Sequence, residues 1–304
     1  MEKIQRIVVT TDFSSRANRA VQRAIRLAVE HGAELHLLHV LPIFSLETFK
    51  RLMVDTPLET EQMLYNRINS MLQRLAEALA KSGMAVKHHV AIGRAHVEIN
   101  RYAEFHHADL IVIGDQGENF VQELFLGTTV SKTLLKGQRP LLIVKQEPMG
   151  RYRHVLVPVD FSQPSRLALH MALKVAPQTP IQVLHVVEMP FRDRMWWEAE
   201  LSEKTIESYR AKMLNDTHRA MEEIIADCAP GDTRVTSSIE HGYPPAVILD
   251  KAQSLDADLI VIGKRGETEL DEALFGSVTK HVLYETACDV LVVSPEKQSE
   301  KSMP

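Results

Sequence analysis

The 304-residue sequence predicts an α/β protein built as two tandem copies of an open five-stranded parallel sheet flanked by helices. Two observations carry that expectation. A strand, glycine turn and helix start recur in two places with identical spacing. Short β-branched apolar runs also alternate with amphipathic helical runs along the chain, the pattern of a parallel sheet covered on both faces.

The better endowed of the two recurring stretches begins at Asp258-Leu259-Ile260-Val261-Ile262, a run with the length and branching of a buried strand. Gly263 and Gly266 follow, and Gly276-Ser277 open a helical stretch through Val278, Val282 and Leu283. Glycines let backbone N–H groups come close to oxyanions, and a helix N-terminus adds unpaired donors and the positive end of its dipole. Ser277 offers a hydroxyl and Lys264 or Arg265 a positive charge, so phosphate is the natural guest. A lone glycine turn after a strand is often only a tight connection. Here Asp109-Leu110-Ile111-Val112-Ile113 leads into Gly114, Gly117 and Gly127-Thr128 at one constant offset from the later set.

The repeat extends beyond the glycines. Ile4–Asp12 answers His154–Asp160, and both run on into Phe-Ser; His39 answers His185, and Gly93 answers Gly242. This is one domain of roughly 150 residues, duplicated. The domains are expected over residues 1–146 and 151–297, joined by the turn-rich Gln146-Glu147-Pro148-Met149-Gly150.

In the first copy, Ile4–Thr10 is a strand, and Ser14 or Ser15 caps a helix whose apolar positions are Ala17, Val21, Ala24, Ile25 and Ala28. Gly32 ends it before the strand Leu35–Leu41. Leu64 to Leu79 form a long amphipathic helix, Ala85–Ile92 a third strand and Val97–Ala103 a helix. Leu110–Ile113 is the fourth strand, Thr128–Leu135 the glycine-turn helix and Leu141–Val144 the fifth strand. Copy two repeats the order, with its long helix over residues 206–225. Ligands of open parallel sheets bind beyond the strands' carboxyl ends, where Asp12, Asp160 and both glycine turns fall.

Composition bounds the function. The chain is 45% apolar and 25% charged, as in a globular protein, and its formal net charge of −5 argues against a general nucleic-acid binder. No run approaches the roughly 20 apolar residues of a membrane span, and the first residues lack a signal-peptide core. Two cysteines, Cys228 and Cys288, make no disulfide framework. A cytoplasmic location is expected, with neither membrane nor nucleic acid as partner.

The doubled Gly-x2-Gly-x9-Gly-(Ser/Thr) pattern, at Gly114, Gly117, Gly127-Thr128 and at Gly263, Gly266, Gly276-Ser277, resembles the universal stress protein family in its tandem form. The resemblance covers nearly the whole chain. It implies a Rossmann-like fold of the HUP class and, for the family's ATP-binding branch, a nucleotide held between the first strand's end, the second strand and the glycine loop. Carried onto this chain, the resemblance puts Pro158, Val159 and Asp160 beside adenine and ribose and Val186 at the adenine edge. It puts Gly263, Lys264, Arg265, Gly266, Gly276, Ser277, Val278 and Thr279 around ribose and phosphates. The implied function is ATP binding, with or without Mg, in a stress-response regulator.

The first copy departs from the pattern. Thr10 and Thr11 stand in place of Pro158 and Val159, and Asp115-Gln116 in place of Lys264-Arg265, which sets a carboxylate where phosphate charge would lie. Its site, at Asp12, Val40, Gly114, Gly117, Gly127 and Thr128, is expected to be weaker, altered or empty.

Neither catalytic nor metal residues are expected. The P-loop, the His-x-Gly-His motif, the Ser-Gly-Gly-x-Asp-Ser loop and a nucleophile elbow are all missing, leaving at most slow ATP hydrolysis or autophosphorylation. Neighbours His88 and His89 on a strand point to opposite faces and cannot chelate together, and His106-His107 lie at a helix end. His39 and His185 read as packed histidines or as ligand neighbours. Met195-Trp196-Trp197 reads as core, lid or subunit contact, and Glu296–Pro304 as a frayed tail. The fifth strands, Leu141–Val144 and Val290–Val293, are exposed edges unless paired. The resemblance implies that these edges dimerise, or that in a tandem chain the two copies pair with each other, and the higher assembly expected is a homodimer of tandem chains with an unknown protein partner. The competing reading is an interaction module of the same fold that binds no nucleotide.

Overall fold

The computed structural model describes residues 3–42, 57–116, 126–188, 203–264 and 275–294. Gly117, Met195-Trp196-Trp197, Arg265, Gly266 and the Glu296–Pro304 tail lie outside the described residues. The rest falls into two compact units. One takes in the described parts of residues 1–151, 271–275 and 287–304, the other those of 152–270 and 276–286.

In chain order the first copy runs β1 (Arg6–Thr10), α1 (Ser15–His31), β2 (Glu34–Leu41), α2 (Pro57–Ala80), β3 (Val86–Ile92), α3 (Ala95–Phe105), β4 (Leu110–Gly114), α4 (Thr128–Lys136) and β5 (Leu141–Val144). The second runs β6 (Val155–Pro158), α5 (Gln163–Val175), β7 (Ile181–Val187), α6 (Glu203–Cys228), β8 (Val235–His241), α7 (Pro244–Ser254), β9 (Leu259–Gly263), α8 (Ser277–Glu285) and β10 (Asp289–Val293). The alternation is as expected. Both long helices exceed the stretches marked by their apolar positions.

In the first unit the strands follow the order β3-β2-β1-β4-β5, all parallel. Strand β10, last in the second copy, joins this unit antiparallel to β5, pairing Val290 with Ile143 and Val292 with Leu141. The two fifth strands therefore cover each other's edges instead of leaving them open. Asp289 anchors the join. It is 0% exposed and sits 3.2 Å from the Arg23 guanidinium, itself 4% exposed. Its Oδ1 also accepts the Lys145 and Gln146 N–H groups at 2.9 and 3.3 Å. A charge is tolerated at this depth because it is paired and hydrogen-bonded.

Helix α1 shows why the local sequence folds as it does. Ser14 caps it, accepting the Ala17 N–H at 3.1 Å. Ala17, Ala20, Val21, Ala24, Leu27 and Ala28 form its buried stripe, and Gly32 stops it at φ 67°, a left-handed conformation that favours glycine. In the second unit β9-β6-β7-β8 are parallel, and Ser162 caps α5 as Ser14 caps α1. The Leu-Ile-Val-Ile-Gly runs of β4 and β9 are buried throughout, the signature of strands covered on both faces.

Candidate functional site

In the second unit β6 pairs with both β7 and β9, so the carboxyl ends of these three strands lie side by side. Pro158–Asp160 follow β6, Val186 sits near the end of β7, and Gly263 closes β9. Gly263 is required by a close approach: a Cβ there would lie 2.9 Å from the Pro164 Cβ in the first turn of α5. Gly114 plays the same part, with the Arg16 carbonyl oxygen 3.0 Å away. Each strand thus ends directly under the start of the helix that follows the copy's first strand.

The glycine turn returns to the N-terminus of α8. Its cap residue is Gly276, which brings no capping side chain, so the amides of the first helical turn are oriented by the helix alone. The Gly276 N–H is itself spent, donating to the Lys264 carbonyl at 3.1 Å, as Gly127 does to Asp115 at 2.9 Å. The cradle's outward donors therefore belong to the residues after the glycine. Thr279 is 3% exposed and its hydroxyl donates to the Gly263 carbonyl at 2.8 Å, tying α8 to the end of β9. Val130 stands in that place in the first copy and cannot form the tie. Lys264 is 7% exposed, while Ser277 is exposed at the helix mouth.

Asp160 and Asp12 have a local task. Asp160 Oδ1 accepts the Ser162 N–H at 3.1 Å and the Ser162 hydroxyl, and Asp12 Oδ1 accepts the Ser14 N–H at 3.0 Å. A carboxylate has acceptor capacity on both oxygens.

Behind each aspartate lies one of the two histidines whose sequence positions read as packed or as ligand neighbours. His185 Nδ1 lies 2.8 Å from the Val159 carbonyl oxygen, and His39 Nδ1 lies 2.7 Å from that of Thr11. A carbonyl only accepts, so Nδ1 carries the proton in both rings. Phe161 and Phe13 adopt φ 65° and 64°, a strained backbone for a bulky residue, and their rings stack on these imidazoles at centroid distances of 4.3 and 5.3 Å. Burial holds both imidazoles below the usual histidine value of 6.5, with the carbonyl bond and the nearby aspartate opposing it. The histidine–phenylalanine pairs fix the turn that aims Asp12 and Asp160. Their recurrence at matched positions was the available sequence signal.

The first copy carries a cavity of about 120 Å³ at its strand ends, bringing together Asp12, Val40 and Gly114 with Gln116, Thr129 and Val130. Gly127 and Thr128 flank it at the start of α4. Arg16, on the first turn of α1, reaches the loop: its Nη1 lies 3.3 Å from Asp115 Oδ2 and also bonds Gln116 Oε1. Pro164 replaces this arginine in the second copy.

A larger hollow, about 660 Å³, lies away from the strand ends, between β3 and α3. There Tyr102 stands between His89 and His106, with ring centroids 5.1 and 4.2 Å away. Burial pushes the Tyr102 phenol up to about 12, while hydrogen bonds from Lys87 and His36 pull Glu34 down to about 2. Among the described residues no group of three or more His, Cys, Asp or Glu side chains is placed to hold a metal ion. No helix among them is long and apolar enough to cross a membrane.

Fold and site together define a class: a duplicated open parallel α/β protein with a crevice at the strand ends, set beside a glycine turn and an uncapped helix N-terminus. The sequence profile of the universal stress protein family matches residues 3–145 and again residues 151–294. The chain belongs to that family. A universal stress protein of Mycolicibacterium smegmatis is 23% identical over 303 residues, covering 95% of this chain and 97% of that protein. One from Methanocaldococcus jannaschii is 27% identical over 155 residues, covering 47% of this chain and 96% of that protein. Among solved structures, a universal stress protein from Archaeoglobus fulgidus shares the fold with a TM-score of 0.68 at 19% identity, covering 97% of this chain and 98% of that one.

Proposed function

We propose that this chain is an ATP-binding regulatory protein of the stress response, with the nucleotide held in the second copy. The observation that carries the reading is the charge and backbone arrangement at the ends of β6 and β9. Asp160 follows the end of β6, and Lys264 and Arg265 follow Gly263 in the sequence. The N-terminus of α8, held on β9 by the Thr279–Gly263 bond, presents first-turn amides without a capping side chain. Oriented amides and positive charge at one end, with a carboxylate at the other, suit phosphates and ribose respectively. Pro158, Val159 and Val186 supply the wall for adenine.

In this reading any Mg arrives with the phosphates, the protein works in the cytoplasm as a homodimer of tandem chains, and occupancy signals to a protein partner. ATP titration of the chain and of Gly276→Trp tests the placement: the variant folds and loses binding. Retained binding by the folded variant refutes it. The internal use of Asp160 Oδ1 and the Gly276 N–H favours the second reading, an interaction module without nucleotide. Under that reading neither protein binds ATP.

A further inference from the structure

We infer that the hollow between β3 and α3 in the first unit is a separate ligand site, one that takes a small planar aromatic anion. It lies away from the strand-end crevices, so the inference stands whether or not those hold nucleotide. Three observations carry it.

The first is size and lining. At about 660 Å³ the hollow falls within the roughly 300–1,000 Å³ of ordinary ligand pockets. Rings make much of its wall. His89 stacks on Tyr102 at 5.1 Å with an interplanar angle of 18°, and His106 leans on the same ring at 4.2 Å. Phe105 also lines the hollow and is 78% exposed, an apolar ring left in water beside it. Flat rings favour a flat guest that can stack on them. The wall is fixed from behind: the Tyr102 phenol lies 3.1 Å from His36 Nδ1, and His36 Nε2 lies 3.0 Å from Glu34 Oε2. An ionised carboxylate only accepts, so Nε2 carries the proton, and in the neutral ring the phenol donates to Nδ1. Tyr102 is thus held before a guest arrives, which lowers the ordering cost of binding.

The second is charge. Three cations, Arg6, Lys87 and Arg101, stand against two carboxylates, Glu34 and Glu98. Both carboxylates are engaged from within: Glu34 by Lys87 at 2.8 Å and Arg6 at 4.0 Å, and Glu98 by Arg101. Lys87 and Arg101 line the hollow and are exposed. An ammonium has three N–H donors and a guanidinium five, so each keeps donors for an anion after its ion pair is made. Burial, with Arg101 adding to it at His89 and with His36 and Lys87 adding to it at His106, holds both imidazoles below 6.5 against the opposing pull of Glu98 and Glu34. At neutral pH these rings are uncharged, and the charge met by a guest is that of Lys87 and Arg101.

The third is the comparison inside the chain. At the positions matching His89, Tyr102, Phe105 and His106 the second copy has Ser238, Lys251, Ser254 and Leu255, with Asp250 in place of Arg101. Strand β8 and helix α7 form all the same. The fold therefore builds this strand and helix without the ring cluster, which is a property of the first copy alone.

Naphthoate is the probe, with two controls: naphthamide, which keeps the flat rings and loses the charge, and cyclohexanecarboxylate, which keeps the charge and loses the flat ring. Each is titrated into the full chain, with the backbone amide shifts of Lys87, His89 and Tyr102 as the readout. Naphthoate is expected to give saturable shifts, with both controls at least roughly tenfold weaker. Arg101→Gln removes an exposed charge and uncovers Glu98, so it should weaken naphthoate roughly tenfold and leave naphthamide unchanged. Phe105→Ala, also at an exposed position, should weaken both aromatic probes roughly threefold. No saturable shift with naphthoate, equal affinity for either control, or unchanged naphthoate binding by Arg101→Gln overturns the inference. Shifts confined to Asp12 or Asp160 overturn it as well, because they place the guest in a strand-end crevice.

Discussion

Replacing His185 by alanine tests whether the site's geometry is imposed by the imidazole behind it. The substitution removes the Nδ1–H that the Val159 carbonyl accepts at 2.8 Å and the ring stacked on Phe161 at 4.3 Å. Stranding a buried acceptor costs about 1–3 kcal/mol, and an aromatic pair is worth about 0.5–1.5 kcal/mol. His185 is only partly buried, so water can reach the carbonyl in part and the low end applies: about 1.5 kcal/mol of stability. Released from the stack, Phe161 has less reason to hold φ 65°, and the Asp160 turn relaxes. ATP affinity should fall roughly tenfold, equivalent to about 1.4 kcal/mol. The assay is urea unfolding paired with ATP titration well below the unfolding range. His39→Ala is the internal control. It removes the matching bond in the first copy, at 2.7 Å, and should destabilise the protein while leaving second-copy ATP affinity unchanged. If His185→Ala changes stability by less than about 0.5 kcal/mol and leaves affinity unaltered, the Asp160–Ser162 turn holds itself and the argument fails.

Three further outcomes follow from other parts of the structure. Asp289→Ala leaves the buried Arg23 without its carboxylate and two N–H groups without their acceptor, so the first unit should lose about 3–5 kcal/mol, read by amide hydrogen exchange in β5 and β10. Gly263→Ala places a Cβ 2.9 Å from Pro164 Cβ, and circular-dichroism melting should show destabilisation of about 1–3 kcal/mol as α5 is pushed from β9. Acid should weaken the fold in two stages. His39 and His185 are depressed below 6.5 when folded, so the unfolded chain binds protons first, and their contribution, complete above 6.5, is lost as pH falls through the lower folded values. Glu34, lowered from 4.5 to about 2, contributes above 4.5 and loses its share as pH falls toward 2. A pH series of urea midpoints checks the order, and His39→Asn should flatten the first stage.

Much of the fold was legible because it rests on periodicity and punctuation. The Leu-Ile-Val-Ile-Gly runs, the serine caps at Ser14 and Ser162 and the stop at Gly32 are local choices that agree with the global sheet. The resemblance to a family supplied the site residues that spacing alone would not. What escaped the sequence depends on contacts between distant residues. Nothing local in the sequence singles out Arg16, which folding brings to Asp115, or Asp289, which it brings to Arg23. The Gly276 turn read as a cradle of outward amides, yet its own N–H closes the turn on Lys264, because a reversal this tight satisfies its backbone internally first.

The most direct test of the central claim is mass spectrometry, with absorbance at the nucleotide band, on protein purified without added ligand. The account predicts one ATP or ADP per chain, absent from the folded Gly276→Trp variant. Two nucleotides per chain would contradict the placement of the nucleotide in the second copy alone. None, with no binding on titration, would contradict the nucleotide reading and leave the interaction module in its place.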